Sequence, residues 1–498
     1  MNPEPSLRAK TKRGLIWGSI EAGSRFLLQF VVIAVLARLL DPPERGQGEN
    51  ATIVVGITAI FSQLGVGPAL VQKRDDLRPE HLSSAFTFSV IFGLVAMGAL
   101  WLLAPTIGGF FKDPLPADIL RWMAIGFPIS GLAVVSESLI QRNMRFDLIA
   151  RAEIFSFLAY GAMATMLAAF GYGVWALVWA YLLQLSLRSL MFIIYAKWIP
   201  VPGWNPFAAK ELVAYSGGIT VARIANYLAT NGDNLVVGAK LGDAAVGFYG
   251  TAYKIMVAPA NLIGQVLEKV LFPAMSRVQD ENAPLARVYR QGIRLLALGM
   301  LPASAAIFIL APDLVDVLLG EKWKPVGPAL QILSAGLLFR TSMKLSNSLI
   351  RAKGAVTQMA VCQVLYMVAV IIAAVVGCRW GITGVSWGVL GAIFICFIYG
   401  AAICHKLVEI KWSEFIADHI PGVVLAAIVL GAGWPANTAL KSANVESIIV
   451  LLGTGIIIAL ATLIPALLLP NRLLGPDATK LRDKAKKIMG KVTGGSEE

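Results

Sequence analysis

The sequence predicts an all-α, polytopic membrane protein: about fourteen transmembrane helices in two pseudo-symmetric six-helix lobes, followed by two C-terminal helices. Three observations carry this prediction. First, the 498 residues are 57% hydrophobic and only 15% charged, with a mean hydropathy of +0.70. Soluble domains average about 45–50% apolar and about 25% charged, so the excess excludes a soluble globular chain, a disordered one and a fibrous one. Second, apolar stretches recur at the length of about 20 residues that a membrane crossing requires. Third, parts of the first half return in the second at a nearly constant offset.

Taken in order, the stretches fall near 14–39, 47–71, 82–106, 118–141, 152–170, 173–196 and 211–238, then 244–272, 288–311, 325–350, 357–377, 382–404, 415–436 and 446–469. No connection is long enough for a separate soluble domain. The first stretch is too long for a cleavable signal and has no small-residue cleavage site, so it predicts a span.

The formal net charge of +13 comes from 43 Lys+Arg against 30 Asp+Glu. A basic chain ordinarily suggests nucleic acid, but here the cations sort by side. With the N-terminus in the cytoplasm, 27 fall on cytoplasmic segments, 9 on the opposite side and 7 within spans. By the positive-inside rule this predicts a multi-pass protein with both termini in the cytoplasm, and no nucleic-acid partner. Anionic lipid head groups then neutralise the cytoplasmic cations.

The repeat is read at an offset of 202. Val35, Ala37, Leu39, Asp41, Gly48, Ile53, Val55 and Gln63 return as Val237, Ala239, Leu241, Asp243, Gly250, Ile255, Val257 and Gln265. Ser138-Leu139-Ile140 returns as Ser348-Leu349-Ile350, and Gly173-Val174 as Gly384-Val385. The resulting division is a first lobe at 1–205, a second at 206–411, two further helices at 412–470 and a basic cytoplasmic tail at 471–498. Both lobes take the same orientation about an axis along the membrane normal.

An ionisable side chain near the bilayer centre costs roughly 2.5–3.5 kcal/mol on insertion scales. Charges retained there therefore mark a cavity or a pair. The first span carries Glu21 and Arg25, and the seventh carries Arg223, Asn226, Asn231, Asp233 and Asn234. The second and eighth add Gln63, Lys254, Asn261, Gln265, Glu268 and Lys269. The offset makes Glu21 and Arg223 equivalent positions, which predicts their approach across the pseudo-twofold axis. Arg25, Arg223, Lys254, Gln63, Asn226 and Gln265 are the candidate substrate-binding residues, because cations and amides suit a hydrophilic anionic ligand such as a phosphate or pyrophosphate. Glu21, Asp233 and Glu268 are candidates for ion coupling or gating. Arg188, Arg340, Lys344 and Lys269 lie toward span ends, where a long side chain snorkels to the surface or pairs locally. Pro68, Pro128, Pro259 and Pro302 bend helices, either as hinges or as static kinks.

The sequence offers no cofactor or metal motif. Cys362, Cys378, Cys396 and Cys404 form no CxxC pair, and the three histidines form no HExxH. No GxxxxGK[ST] phosphate loop occurs either, which argues against ATP-driven transport, and no loop is long enough to carry an enzyme's catalytic residues.

Four stretches resemble the polysaccharide transporter family, the Wzx-like oligosaccharide flippases of the multidrug/oligosaccharidyl-lipid/polysaccharide exporter superfamily. They are Ala37-Arg38-Leu39-Leu40-Asp41-Pro42, then Ser138-Leu139-Ile140-Gln141-Arg142-Asn143-Met144-Arg145-Phe146, then Gly171-Tyr172-Gly173-Val174-Trp175-Ala176-Leu177. The fourth is Gly232-Asp233-Asn234-Leu235-Val236-Val237-Gly238 with Gly247-Phe248-Tyr249-Gly250-Thr251-Ala252-Tyr253. One departure is Gln47, where the family usually has an aromatic before the glycine. The resemblance implies a flippase that carries undecaprenyl-pyrophosphate-linked oligosaccharide repeat units across the inner membrane by alternating access. Such a protein serves exopolysaccharide, capsule or O-antigen synthesis beside a polysaccharide polymerase and a chain-length regulator. It needs no cofactor, and a monomer is expected because one two-lobe unit already encloses a cavity. A multidrug efflux transporter of the same superfamily and a lipid II flippase are the alternatives.

Overall fold

The computed structural model describes residues 7–63, 66–72, 78–114 and 116–468, and among these there are helices and two short 3-10 turns but no strands. The helices are α1 (Leu7–Leu39), α2 (Pro42–Gln63), α3 (Val66–Gln72), α4 (Pro79–Gly108), α5 (Ala117–Ala124) and α6 (Gly126–Arg142). They continue with α7 (Phe146–Ala169), α8 (Val174–Ala196), α9 (Pro206–Leu241), α10 (Asp243–Arg277), α11 (Asn282–Leu319) and α12 (Val326–Ser334). The last are α13 (Leu337–Ala352), α14 (Val356–Gly377), α15 (Gly381–Val408), α16 (Trp412–Ser442) and α17 (Ser447–Leu468). Each of the fourteen predicted stretches coincides with one of these helices or with a broken pair: α2 with α3, α5 with α6, and α12 with α13. The basic tail at 471–498 lies outside the described residues.

Local chemistry sets the boundaries. Pro42 and Pro79 open α2 and α4, where a missing N–H is harmless. Gly171 and Gly173 take positive φ in the turn before α8, and Gly381 does so as the opening residue of α15. Pro302 does not end its helix, since α11 runs through it, and α10 runs through Pro259.

Nine stretches among the described residues are long and apolar enough to cross a membrane, and the one at Thr357–Val408 contains both α14 and α15. The protein is therefore a multi-pass membrane protein. The long helices α2, α9 and α10 are not among the nine. They carry Glu44, Arg45, Glu49 and Asn50 on α2, Arg223, Asp233 and Asn234 on α9, and Lys254 on α10.

The chain packs as two compact units. The first comprises Met1–Leu262, Leu319–Val326 and Ala360–Ala392. Its helices approach closely through small residues, as lipid-embedded helices do. Ala164 and Ala168 of α7 pack with Ala176 and Ala180 of α8 and with Leu36 and Leu40 of α1. A second cluster joins Val55 of α2, Leu100 of α4, Ile119 and Met123 of α5, and Val178 of α8. Two turns meet glycine to backbone: a Cβ on Gly46 would collide with the Asp243 carbonyl, and one on Gly247 with the Pro42 carbonyl. The turns at Asp41 and at its counterpart Asp243 thus lie against each other, glycine to carbonyl. Asn50 Nδ2 donates to Asp243 Oδ1 at 2.8 Å, and the Asp243 N–H donates to Asp113 Oδ2 at 2.8 Å.

A short turn, Glu321–Trp323, completes this end. Trp323 is fully buried, and its Nε1–H donates to the Ala37 carbonyl at 2.6 Å. That carbonyl is among the last four of α1, which have no partner within their own helix. Arg45 lies over the Trp323 ring at 5.5 Å, and Lys322 pairs with Asp41 at 3.0 Å.

The second unit comprises Ile263–Leu318, Gly327–Met359 and Ile393–Glu498. Ala305 and Ile309 of α11 pack with Val429 of α16 and Ile458 of α17. Polar braces tie the same helices: Arg290 to Asp418 at 2.7 Å and to Glu414 at 2.8 Å, and Lys441 to Asp313 at 2.9 Å.

Candidate functional site: a charged cavity in the first unit

Two adjoining cavities lie in the first unit and share Leu185 and Arg188 of α8. The larger, about 610 Å³, is lined by residues of α1, α2, α5, α7, α8 and α10. The smaller, about 320 Å³, is lined from α3, α6, α8 and α9. Their charged residues are five cations, Arg25, Arg45, Arg188, Arg223 and Lys254, against three carboxylates, Glu49, Glu137 and Glu153. The sum is +2. Gln29, Gln184, Thr52, Tyr160 and Tyr181 add neutral donors and acceptors to the larger cavity.

Helix geometry delivers these groups to one place. Arg45 and Glu49 are four residues apart on α2 and so share a face. Arg45 donates to the Ile33 carbonyl at 3.3 Å, and Glu49 pairs with Lys254 of α10. Arg188 reaches two other helices at once. Its Nε is 2.9 Å from Glu153 of α7, and its Nη2 is 3.3 Å from Glu137 of α6. Gln141 Nε2 also donates to Glu137, at 3.2 Å. A guanidinium held by two carboxylates in a cavity is fixed in orientation, with further N–H donors for an arriving anion.

Outside the spans, at the α9–α10 turn, burial pushes the Asp243 carboxyl above the usual carboxylate range; the Gln47 and Asn50 side chains oppose the rise and Asp113 adds to it. Gln47, the departure from the family's usual aromatic, is thus a polar neighbour of Asp243.

The predicted residues distribute as follows. Arg25 and Lys254 line the larger cavity and Arg223 the smaller one. Glu21 is half-buried on α1 and Asn226 is exposed on α9. Asp233 is buried and accepts a 2.7 Å hydrogen bond from Tyr249 Oη. The side chains of Gln63, Gln265 and Glu268 lie outside the described residues. Sequence reasoning passed over Arg45, Glu49, Glu137 and Glu153, and left Arg188 between snorkelling and pairing; here it pairs, across helices. The available signal was an acid inside an apolar stretch at 137 and another at 153, each opposite in sign to Arg188.

The profile of a family described as "Polysaccharide biosynthesis protein" matches residues 35–328. The chain belongs to this family. Two curated relatives agree with the polysaccharide biosynthesis family. The lipopolysaccharide biosynthesis protein WzxC of Escherichia coli is 26% identical over 353 residues, covering 70% of this chain and 72% of its own. The teichuronic acid biosynthesis protein TuaB of Bacillus subtilis is 25% identical, covering 70% and 73%. Among solved structures, a lipid II flippase MurJ in an inward closed conformation superposes with a TM-score of 0.74 at 13% identity, over 92% of this chain and 99% of that one. That likeness establishes the fold. The resemblance read from the four motifs to polysaccharide flippases is borne out by the family match and these relatives.

Proposed function

We propose that this protein flips polyprenyl-pyrophosphate-linked oligosaccharide repeat units from the cytoplasmic to the outer leaflet of the bacterial inner membrane. It does so by alternating access, for exopolysaccharide, capsule or O-antigen synthesis. The observation that carries this reading is the charge of the cavity: +2 from its lining residues, against the two negative charges of a diphosphate diester. Arg25, Arg188, Arg223 and Lys254 supply charge-assisted donors for the phosphates, and the amides and phenols around them supply partners for sugar hydroxyls. A cationic cavity disfavours the cationic substrates of a drug efflux pump, which supports the flippase over that alternative. A lipid II flippase would share the diphosphate, so the sugar part separates the two.

The proposal keeps the wider scheme read from the sequence. The chain works as a monomer with both termini cytoplasmic and a six-plus-six-plus-two division, and it hands its product to a polymerase and chain-length regulator. Gln63, Asn226 and Gln265 contact cargo, and Glu21, Asp233 and Glu268 serve coupling or gating. Glu21 and Arg223 form a pair; reversing both charges together restores activity lost on reversing either.

Deleting the gene tests the function. The expected result is loss of surface polymer, with lipid-linked repeat units accumulating on the cytoplasmic face. Unchanged polymer with altered drug sensitivity would instead favour efflux.

A further inference from the structure

We propose that the furrow between α1 and α7 seats the first isoprenoid units of the cargo's lipid chain. This rests on the flippase reading above and adds the place where the lipid lies. The furrow holds about 410 Å³. One wall is a stripe of α1, Leu28, Val31 and Val35, whose spacing puts them on one helix face. Its floor is α7 at Gly161, Ala162 and Thr165. Gly161 keeps the floor low: a Cβ there would stand 2.8 Å from Val32 Cγ2.

Continuity with the charged cavity identifies the occupant. Val32 and Phe157 line both the furrow and the larger cavity. Arg25 and Gln29 line that cavity from the same helix, and Arg25 precedes Leu28 by three residues, a rise of about 4.5 Å. A phosphate held at Arg25 therefore places the chain attached to it at Leu28. On its outer side the furrow is open, since Val31, Leu158 and Met166 keep 58%, 43% and 52% of their surface accessible. A second apolar groove of about 480 Å³, between α14 and α15 beside Trp380 and Trp387, shares no lining residue with the charged cavity. Apolar surface alone therefore does not select the α1–α7 furrow; its junction with the cations does. A branched single-chain hydrocarbon joined to a diphosphate matches both parts.

The test uses the full chain in nanodiscs and farnesyl diphosphate carrying a diazirine on its terminal isoprene. Diazirine-bearing farnesol, which lacks the phosphates, is the control. Adducts mapped by mass spectrometry are expected at 28–35 and 157–166, about tenfold above the alcohol. Ala162 is exposed, so Ala162→Trp fills the furrow without disturbing the core. It is expected to weaken farnesyl diphosphate about tenfold and leave methyl diphosphate unchanged. Equal labelling by the alcohol would mark the furrow as an ordinary bilayer-lipid contact and overturn the proposal. So would adducts on other helices, or an Ala162→Trp variant that loses both ligands equally. A wild type that binds methyl diphosphate but labels elsewhere overturns the furrow alone. One that binds neither diphosphate overturns the cargo reading, and the furrow with it.

Discussion

The Nε of Arg188 on α8 stands 2.9 Å from Oε1 of Glu153 on α7, where the larger cavity meets the smaller one that holds Glu137. Removing the guanidinium leaves two carboxylates facing each other at membrane depth. Arg188→Met is expected to lower the unfolding free energy by about 2–3 kcal/mol, less than a fully buried pair because solvent reaches the cavity. Thermal unfolding in detergent measures this. Polymer export should fall at least about tenfold, and Arg188→Lys should recover only part of it, since an ammonium cannot serve both carboxylates with a planar fork.

Glu49 and Lys254 form an ion pair across α2 and α10. Either reversal alone, Glu49→Lys or Lys254→Glu, puts like charges together and should reduce export about tenfold. The double reversal should restore most of it, a non-additivity expected of residues in contact. Complementation of the deletion strain checks both arms.

Trp323 is fully buried, and its Nε1–H satisfies a carbonyl at the end of α1. Trp323→Ala is expected to cost about 3–5 kcal/mol through the cavity it leaves. Trp323→Phe keeps much of the packing against Phe248 but leaves the Ala37 carbonyl unpaired, for about 1–3 kcal/mol. Read from denaturation midpoints, the loss in Trp323→Phe reports chiefly the hydrogen bond, and the further loss in Trp323→Ala reports the packing of the ring.

The raised Asp243 carboxyl carries a pH dependence with a definite sign. Its protonated form is favoured by folding, so its contribution is fully present below the ordinary carboxylate value of 3.8 and is lost as pH rises through the higher folded value. Asp243→Asn removes the ionisation cost while keeping an acceptor for Asn50. The variant should therefore gain most in melting temperature near neutral pH. Its advantage should shrink as the pH falls through the folded value toward 3.8, as a melting series across that range would show.

Hydropathy was enough to find the helices, because lipid demands length and apolarity of most of them, and α2, α9 and α10, more polar than the nine candidate spans, are still long apolar-rich stretches. The motif stretches were enough to point to the family, because their order and spacing follow the chain. The centre of the charged site was not legible in the same way. A lone Arg188 near a span end has two fates, and its partners sit on α6 and α7, so no periodicity along α8 registers them. Arg45 and Glu49 fell in the polar opening of α2, which hydropathy reads as a helix edge rather than as cavity wall. Trp323 was hidden for a related reason: a tryptophan in a short loop ordinarily signals a membrane interface, and only the fold brings the end of α1 beneath it.

The charge of the cavity also bears on how the membrane potential enters transport. If the carrier takes a diphosphate cargo by alternating access, as proposed above, the +2 of the lining residues would be cancelled in the loaded step, which would then carry no net charge through the field. The empty return step would carry the uncancelled cations. Moving one elementary charge through a full 100 mV is worth about 2.3 kcal/mol, and an interior-negative potential pulls positive charge inward. The electrical gradient would then reset the carrier rather than push its cargo, and turnover would depend on voltage through the return step.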